Sequence, residues 1–147
     1  MHIRRAAAGD VAAIKALVVE AYSMYVARIG REPAPMLDDY GARAASGEAF
    51  VADCAGAVGG LLVLVDEGDS LQVENVAVAP ARQGQGIGRA LLAFAEAEAV
   101  RCGHRRLTLY TNEKMTENLA MYPALGWRET GRYEQDGFAR VFFEKSV

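Results

Sequence analysis

The run from Val73 to Leu92, VENVAVAPARQGQGIGRALL, constrains the fold more than any other segment. It reads as an apolar strand, a short turn, a glycine-rich loop and the first turns of an amphipathic helix. Gly84, Gly86 and Gly88 alternate where strand becomes helix. Glycine allows a tight turn there and lets the backbone approach a ligand with no Cβ in the way. The first four N–H groups of a helix have no internal partner, and the helix dipole puts partial positive charge at that end. Together these make an anion site suited to phosphate or pyrophosphate. A plain connecting turn is the competing reading, but three alternating glycines cost unfolded-state entropy that such a turn does not require.

Two familiar phosphate motifs fail against this segment. A dinucleotide fingerprint needs G-x-G-x-x-G, and its third glycine position is Arg89 counting from Gly84 and Leu91 counting from Gly86. A P-loop needs Gly-Lys, a pair the chain lacks. What remains is Q-x-x-G-x-G, from Gln83 through Gly86 to Gly88, directly after a Val-Ala-Val strand. This pattern resembles the acetyl-CoA-binding motif of the GCN5-related N-acetyltransferases. The resemblance implies that Gln83, Gly84, Gln85, Gly86, Ile87, Gly88 and Arg89 hold the pyrophosphate of acetyl-CoA. It also implies that the backbone of Val76 and Val78 binds the pantetheine arm, with an N–H, that of Val76, polarising the thioester carbonyl.

The segment Asn112 to Trp127, NEKMTENLAMYPALGW, is similar to the C-terminal helix motif of the same family, a Tyr followed four residues later by Gly and an aromatic. Here these are Tyr122, Gly126 and Trp127. The resemblance gives Tyr122 the role of general acid toward the departing CoA thiolate, a role a phenol can fill. The plainer reading is a core tyrosine with its hydroxyl at the rim. Two positions depart from the family pattern. Met115 stands where many members carry Asn, leaving Asn118 or Asn112 to reach the pantetheine, and Pro123 follows Tyr122 directly. Glu74 precedes Val76 and Val78 by two and four residues, so a period of two puts all three on one strand face. An amine acceptor must lose a proton, and a carboxylate is the natural base. Resemblance assigns this to Glu74, against a solvent-facing, salt-bridged alternative.

At 147 residues the chain reads as one domain, 1–147, with 52% apolar and 24% charged residues. A net charge of −3 argues against an electrostatic nucleic-acid binder. Cys54 and Cys102 show no pairing pattern, which favours free thiols in a cytoplasmic setting. No metal-ligand spacing and no membrane-length apolar run appear. The expected element order is β, α, (α), β, β, β, α, β, α, β, β, with Asp10 as an N-cap and Ala55-Gly56 and Asp136-Gly137 as hairpin turns. The β–α–β unit around the glycines requires a parallel pair with a right-handed crossover. The fold class is α/β (α+β): a mixed, mostly antiparallel sheet flanked by helices, with a central β-loop-α acetyl-CoA site.

The implied reaction is direct acetyl transfer from acetyl-CoA to a small-molecule amine or peptide. Acceptor residues fall at Tyr22, Tyr25, Arg28, Arg31 to Tyr40 and Tyr133 to Phe138, with Tyr25, Tyr40 and Tyr133 as pocket-lining candidates. Asp38 and Asp39 read as charges at the start of a short helix. The strand Ala139 to Lys145 is read as exposed and able to pair in a homodimer. A non-catalytic acyl-CoA-binding module is the alternative. A nucleotide switch would need a Lys or Mg²⁺ ligand beside the phosphates, which the loop lacks.

Overall fold

Seven strands join one sheet, from the alternating Leu71–Val78 and Arg106–Asn112 to the almost wholly polar edge strand RETGRYEQ. The computed structural model describes all 147 residues. The strands are β1 (His2–Arg5), β2 (Ala49–Cys54), β3 (Ala57–Asp66), β4 (Leu71–Val78), β5 (Arg106–Asn112), β6 (Arg128–Gln135) and β7 (Phe138–Ser146). Their spatial order is β1-β2-β3-β4-β5-β7-β6. Every neighbouring pair is antiparallel except β4 and β5, which the intervening helix forces to be parallel. Both hairpin turns carry positive φ at both central residues, Ala55 (55°) with Gly56 (91°) and Asp136 (54°) with Gly137 (80°).

Four helices cover the sheet: α1 (Val11–Ile29), α2 (Tyr40–Ala45), α3 (Ile87–Arg101) and α4 (Thr116–Ala124). Helix α1 buries Ile14, Leu17 and Val18 at helical spacing and stops at Gly30, whose φ of 86° continues no helix. Helix α3 buries Ile87, Leu91, Leu92, Ala95 and Ala99. The sheet thus separates two cores. One holds α3, Tyr122 of α4 and Trp127 against Phe50, Leu62, Val73, Leu109 and Phe143. The other holds α1 and Tyr40 of α2 against Val51, Leu61, Val63 and Ala77.

The register of β4 breaks at one residue. Val63 opposes Asn75 and Leu64 opposes Val73, so Glu74 is an extra residue facing no partner on β3. Such a bulge bends its strand and increases the local twist. On the other side, β4 pairs with β5 only through Leu71, Gln72 and Val73. Beyond Val73 the two strands part, and a cleft opens between Asn75–Val78 and Tyr110–Asn112.

The structure differs from sequence expectation at three places. Asp10 occupies the N-cap position of α1, but its carboxylate turns back to the Ala7 N–H (2.7 Å) and to Arg4 (2.8 Å). Ala139–Lys145 is not an exposed strand: β7 lies between β5 and β6, and the free edges belong to β1 and β6. Its buried Val141 and Phe143 seal the core beneath α4. Glu74 does not share a face with Val76 and Val78, because the bulge resets the alternation. Val76 and Val78 pack against the core under α3, whereas the Glu74 carboxylate meets the hydroxyl of Tyr110 on the opposite face.

Helix α3 approaches β3 closely because Gly60 has no side chain. A Cβ there would lie 2.9 Å from both Ile87 Cγ2 and Leu91 Cδ1. Gly60→Val is expected to destabilise the fold by about 1–3 kcal/mol and to lower Tm by several degrees in thermal denaturation. An unchanged Tm would contradict this packing.

Candidate functional site

The backbone of β4 beyond the bulge has one edge satisfied and one open. The N–H of Ala79 donates to Gly59 O on the β3 side at 2.9 Å. By the period of two, Ala77 points its N–H the same way, and Val76 and Val78 turn their N–H and C=O groups toward the cleft. The Val76 carbonyl accepts from the Tyr22 hydroxyl at 3.2 Å, as befits a group not used by β3. An open strand edge is a template for an extended chain that carries amides.

The glycine loop follows this edge. Pro80–Arg82 forms one 3-10 turn, Gly84 takes φ 81°, and Gly86 takes φ 80° at the N-cap of α3. Both glycines have open space around a hypothetical Cβ, so the left-handed backbone is what requires glycine there. No side chain caps α3, and its first internal bond is Ala90 N–H to Gly86 O at 3.0 Å. The N–H groups of Ile87, Gly88 and Arg89 are therefore free at the positive end of a fifteen-residue helix. Gln83, Gly84, Gln85, Gly86 and Arg89 are exposed, and the Gly88 Cα packs beside Val78. The open strand edge is thus followed directly by free helix N–H groups, a run of donors of the kind that takes an extended chain ending in an anion.

At the inner end the cleft becomes a cavity. Its walls include Glu74, Asn75, Val76, Tyr110, Thr111, Asn118 and Tyr122. It continues outward past Pro35, Asp38, Asp136, Phe138 and Arg140. The glycine loop lies outside it, on the surface at the other end of the open edge. Tyr122 is 4% exposed, packed edge-on to Trp127 and tilted against Phe143. Pro123 falls in the last turn of α4, where the chain closes through Trp127 N–H to Tyr122 O at 3.0 Å. The Tyr122 hydroxyl bonds to no protein group yet is not sealed from the cavity. Burial pushes its pKa up to about 12.

The Glu74 carboxylate accepts from the Tyr110 hydroxyl at 2.8 Å. Burial first, and then the Glu74 charge, hold the Tyr110 pKa well above that of a free phenol. In the amide orientation its neighbours require, Gln72 also donates to Glu74 at 2.6 Å. Beside it, buried Asn75 accepts from the Tyr22 hydroxyl (2.5 Å) and donates to the Tyr40 hydroxyl (3.0 Å). Tyr40 in turn donates to Pro35 O, which pins the Ala34–Leu37 turn over the cavity.

The candidate acceptor residues divide. Tyr22 and the Pro33–Pro35 stretch line the cavity, and Asp38 lines its outer part. Tyr40 is 2% exposed and serves as a core residue. Tyr133 stacks on Phe142 at the surface, with ring centres 4.2 Å apart. Tyr25 and Arg28 instead meet Glu117 at the start of α4. Asp39 caps α2 through Ala42 N–H at 3.0 Å, and Asp38 pairs with Arg43. Asn118 reaches the cavity and donates to Thr111 at 3.1 Å, while Asn112 accepts from the Lys114 N–H in a turn. Asn75, Tyr110 and Arg140 were not singled out from the sequence. The only sequence signal for Asn75 was a polar residue inside an apolar strand.

Residues 45–129 match the family model of the acetyltransferase (GNAT) domain. No curated protein matches the chain. Among solved structures, the PaiA N-acetyltransferase of Thermoplasma acidophilum, in complex with coenzyme A, superposes with a TM-score of 0.79. It is 18% identical, over 99% of this chain and 98% of that one. The ribosomal-protein-alanine N-acetyltransferase of Brucella melitensis is 25% identical over the whole of both chains, with a TM-score of 0.73. A GNAT family acetyltransferase of Elizabethkingia anophelis with acetyl-CoA bound is 22% identical, covering 67% of this chain and 75% of that one, with a TM-score of 0.58. The sheet split at Glu74, the glycine loop on α3 and the family match agree, and the chain belongs to the GNAT acetyltransferase family.

Proposed function

We propose that this protein transfers an acetyl group from acetyl-CoA to a primary amine by direct attack. One observation carries the reading: an open strand edge links the glycine loop to a cavity that holds both a carboxylate, Glu74, and an unpartnered phenol, Tyr122. The glycine loop from Gln83 to Arg89, with the free N–H groups of Ile87, Gly88 and Arg89 at its end, would hold the pyrophosphate, and the cleft-facing groups of Val76 and Val78 the pantetheine, with Asn118 beside it. When bound, acetyl-CoA supplies an activated acyl group on a thiol leaving group. The Val76 N–H, fixed by the strand, donates to the carbonyl oxygen on which negative charge grows.

Glu74 lies on the cavity face, away from the core under α3, and takes the proton that an ammonium must lose, directly or through water. Tyr110 and Gln72 orient the carboxylate from two sides. Tyr122 acts on the sulfur. A free thiol has a pKa of about 8.5, well below the value of about 12 held by Tyr122. Complete transfer of the phenolic proton to the thiolate is therefore uphill. The hydroxyl donates a hydrogen bond to the sulfur as the carbon–sulfur bond breaks, and the departing thiolate takes the second proton that the attacking nitrogen loses.

Three outcomes are expected. Tyr122→Phe and Glu74→Gln should each lower kcat for amine-dependent CoA release by about 10²-fold while acetyl-CoA still raises Tm. Unchanged turnover in both would refute the assigned roles, and stabilisation without release by any amine in the unaltered protein would leave a binding module. Gly86→Val forces a branched side chain onto a φ of 80° and should reduce the Tm increase given by acetyl-CoA. An equal increase would remove the loop from the binding site. Tyr22, Tyr40, Tyr110 and Tyr122 all titrate above the unfolded value of about 10 because they are buried. Their contribution to stability is complete below pH about 10 and is lost as pH rises through the folded values. Urea denaturation from pH 8 to 11 should show the fall, and it should be shallower in Tyr122→Phe.

A further inference from the structure

Arg140 is a buried cation with an uncommitted edge. It sits on β7 opposite Asn112, and its side chain is 6% exposed. Nη1 donates to Gln135 Oε1 at 2.7 Å and reaches Asp136 Oδ2 at 3.5 Å, the latter on a carboxylate that is 78% exposed. Nε and Nη2 donate to no protein group, and neither is sealed from solvent. The guanidinium carbon lies over the Tyr110 ring, 4.1 Å from its centre. The edge is therefore what remains to meet a molecule in the cavity, and Arg140 lines both its inner and its outer part. The other guanidinium on the cavity wall, Arg43, is already committed to Asp38 and Glu48.

The position of this edge matters as much as its freedom. The ring that carries Arg140 on its face carries Glu74 on its hydroxyl. A cation-seeking and an anion-seeking group thus stand one tyrosine apart on the same wall. A simple alkylamine would satisfy Glu74 and leave the Arg140 edge without an anion. A molecule with an ammonium and a carboxylate on adjoining atoms satisfies both, because two parallel guanidinium N–H groups match the two oxygens of a carboxylate.

We propose that the acceptor is an amine carrying its own carboxylate, the α-amino acid arrangement, and that Arg140 holds that carboxylate while the amino group faces Glu74. This rests on the amine-acetylation reading above and narrows its substrate class. A site built to bond a polar group rejects analogues lacking it, because its buried donors are then left unpaired. The specificity should therefore be read most clearly between an amino acid and the amine left when its carboxyl is removed.

The test measures CoA thiol release with a panel of L-α-amino acids, each beside its decarboxylated amine and its α-amino amide. For at least one side chain the amino acid should exceed both analogues in kcat/KM by on the order of 10²-fold. Arg140→Met should bring that ratio close to one, mainly through KM, and Arg140→Lys should restore part of it by keeping the charge without the fork. Thermal stabilisation by acetyl-CoA reports whether each variant is folded; if Arg140→Met is not, Arg140→Lys decides by the same ratio. Amines or amides turned over as well as amino acids by the unaltered protein would overturn this proposal and leave the amine-acetylation reading intact. So would a ratio unmoved in the folded variants. No release with any member of the panel or with peptides and polyamines would overturn both.

Discussion

The single extra residue at Glu74 is the constraint on which the site depends. Without it β4 would continue beside β5, and the backbone groups of Asn75–Val78 would be spent on a parallel ladder. The bulge ends that pairing after three residues and leaves an open edge inside the domain. Open edges are usually liabilities at the rim of a sheet. Here the edge is sheltered between two strands, with α3 below it and the Ala34–Leu37 turn above.

The same bulge divides labour between backbone and side chains. Val76 and Val78 keep their side chains in the core under α3 while their amides face the cleft. Glu74 and Asn75 fall on the other face, where Tyr22, Tyr40 and Tyr110 meet them with hydroxyl groups. Every buried polar side chain there finds a partner, which a low-dielectric wall demands. One tyrosine breaks the pattern, since Tyr122 is buried and its hydroxyl is unbonded. Its hydroxyl opens instead into the cavity.

Much of this was legible in the chain. The alternating glycines placed the loop because φ values near 80° have few other tenants. Helical spacing of Ile14, Leu17 and Val18, and the Asp136-Gly137 turn, fixed elements whose signals are local. The strand face of Glu74 was not legible, because strict alternation assumes no bulge, and a bulge is set by pairing with another strand. Arg140 was equally hidden. In sequence it is one of three charges in a strand of mostly apolar residues; only stacking on Tyr110, from a different strand, makes it part of a cavity.

The sequence by itself determined the order of elements, the parallel crossover and a glycine-led, uncapped helix start, because turns, periodicity and glycine backbone freedom act between residues close in the chain. Tertiary structure alone decided where β4 and β5 part, which face Glu74 takes and which tyrosines become core, linker or cavity wall. Those outcomes depend on strand register and on contacts between residues dozens of positions apart, such as Tyr22 with Asn75 and Tyr110 with Glu74. Such contacts form only once the sheet has assembled.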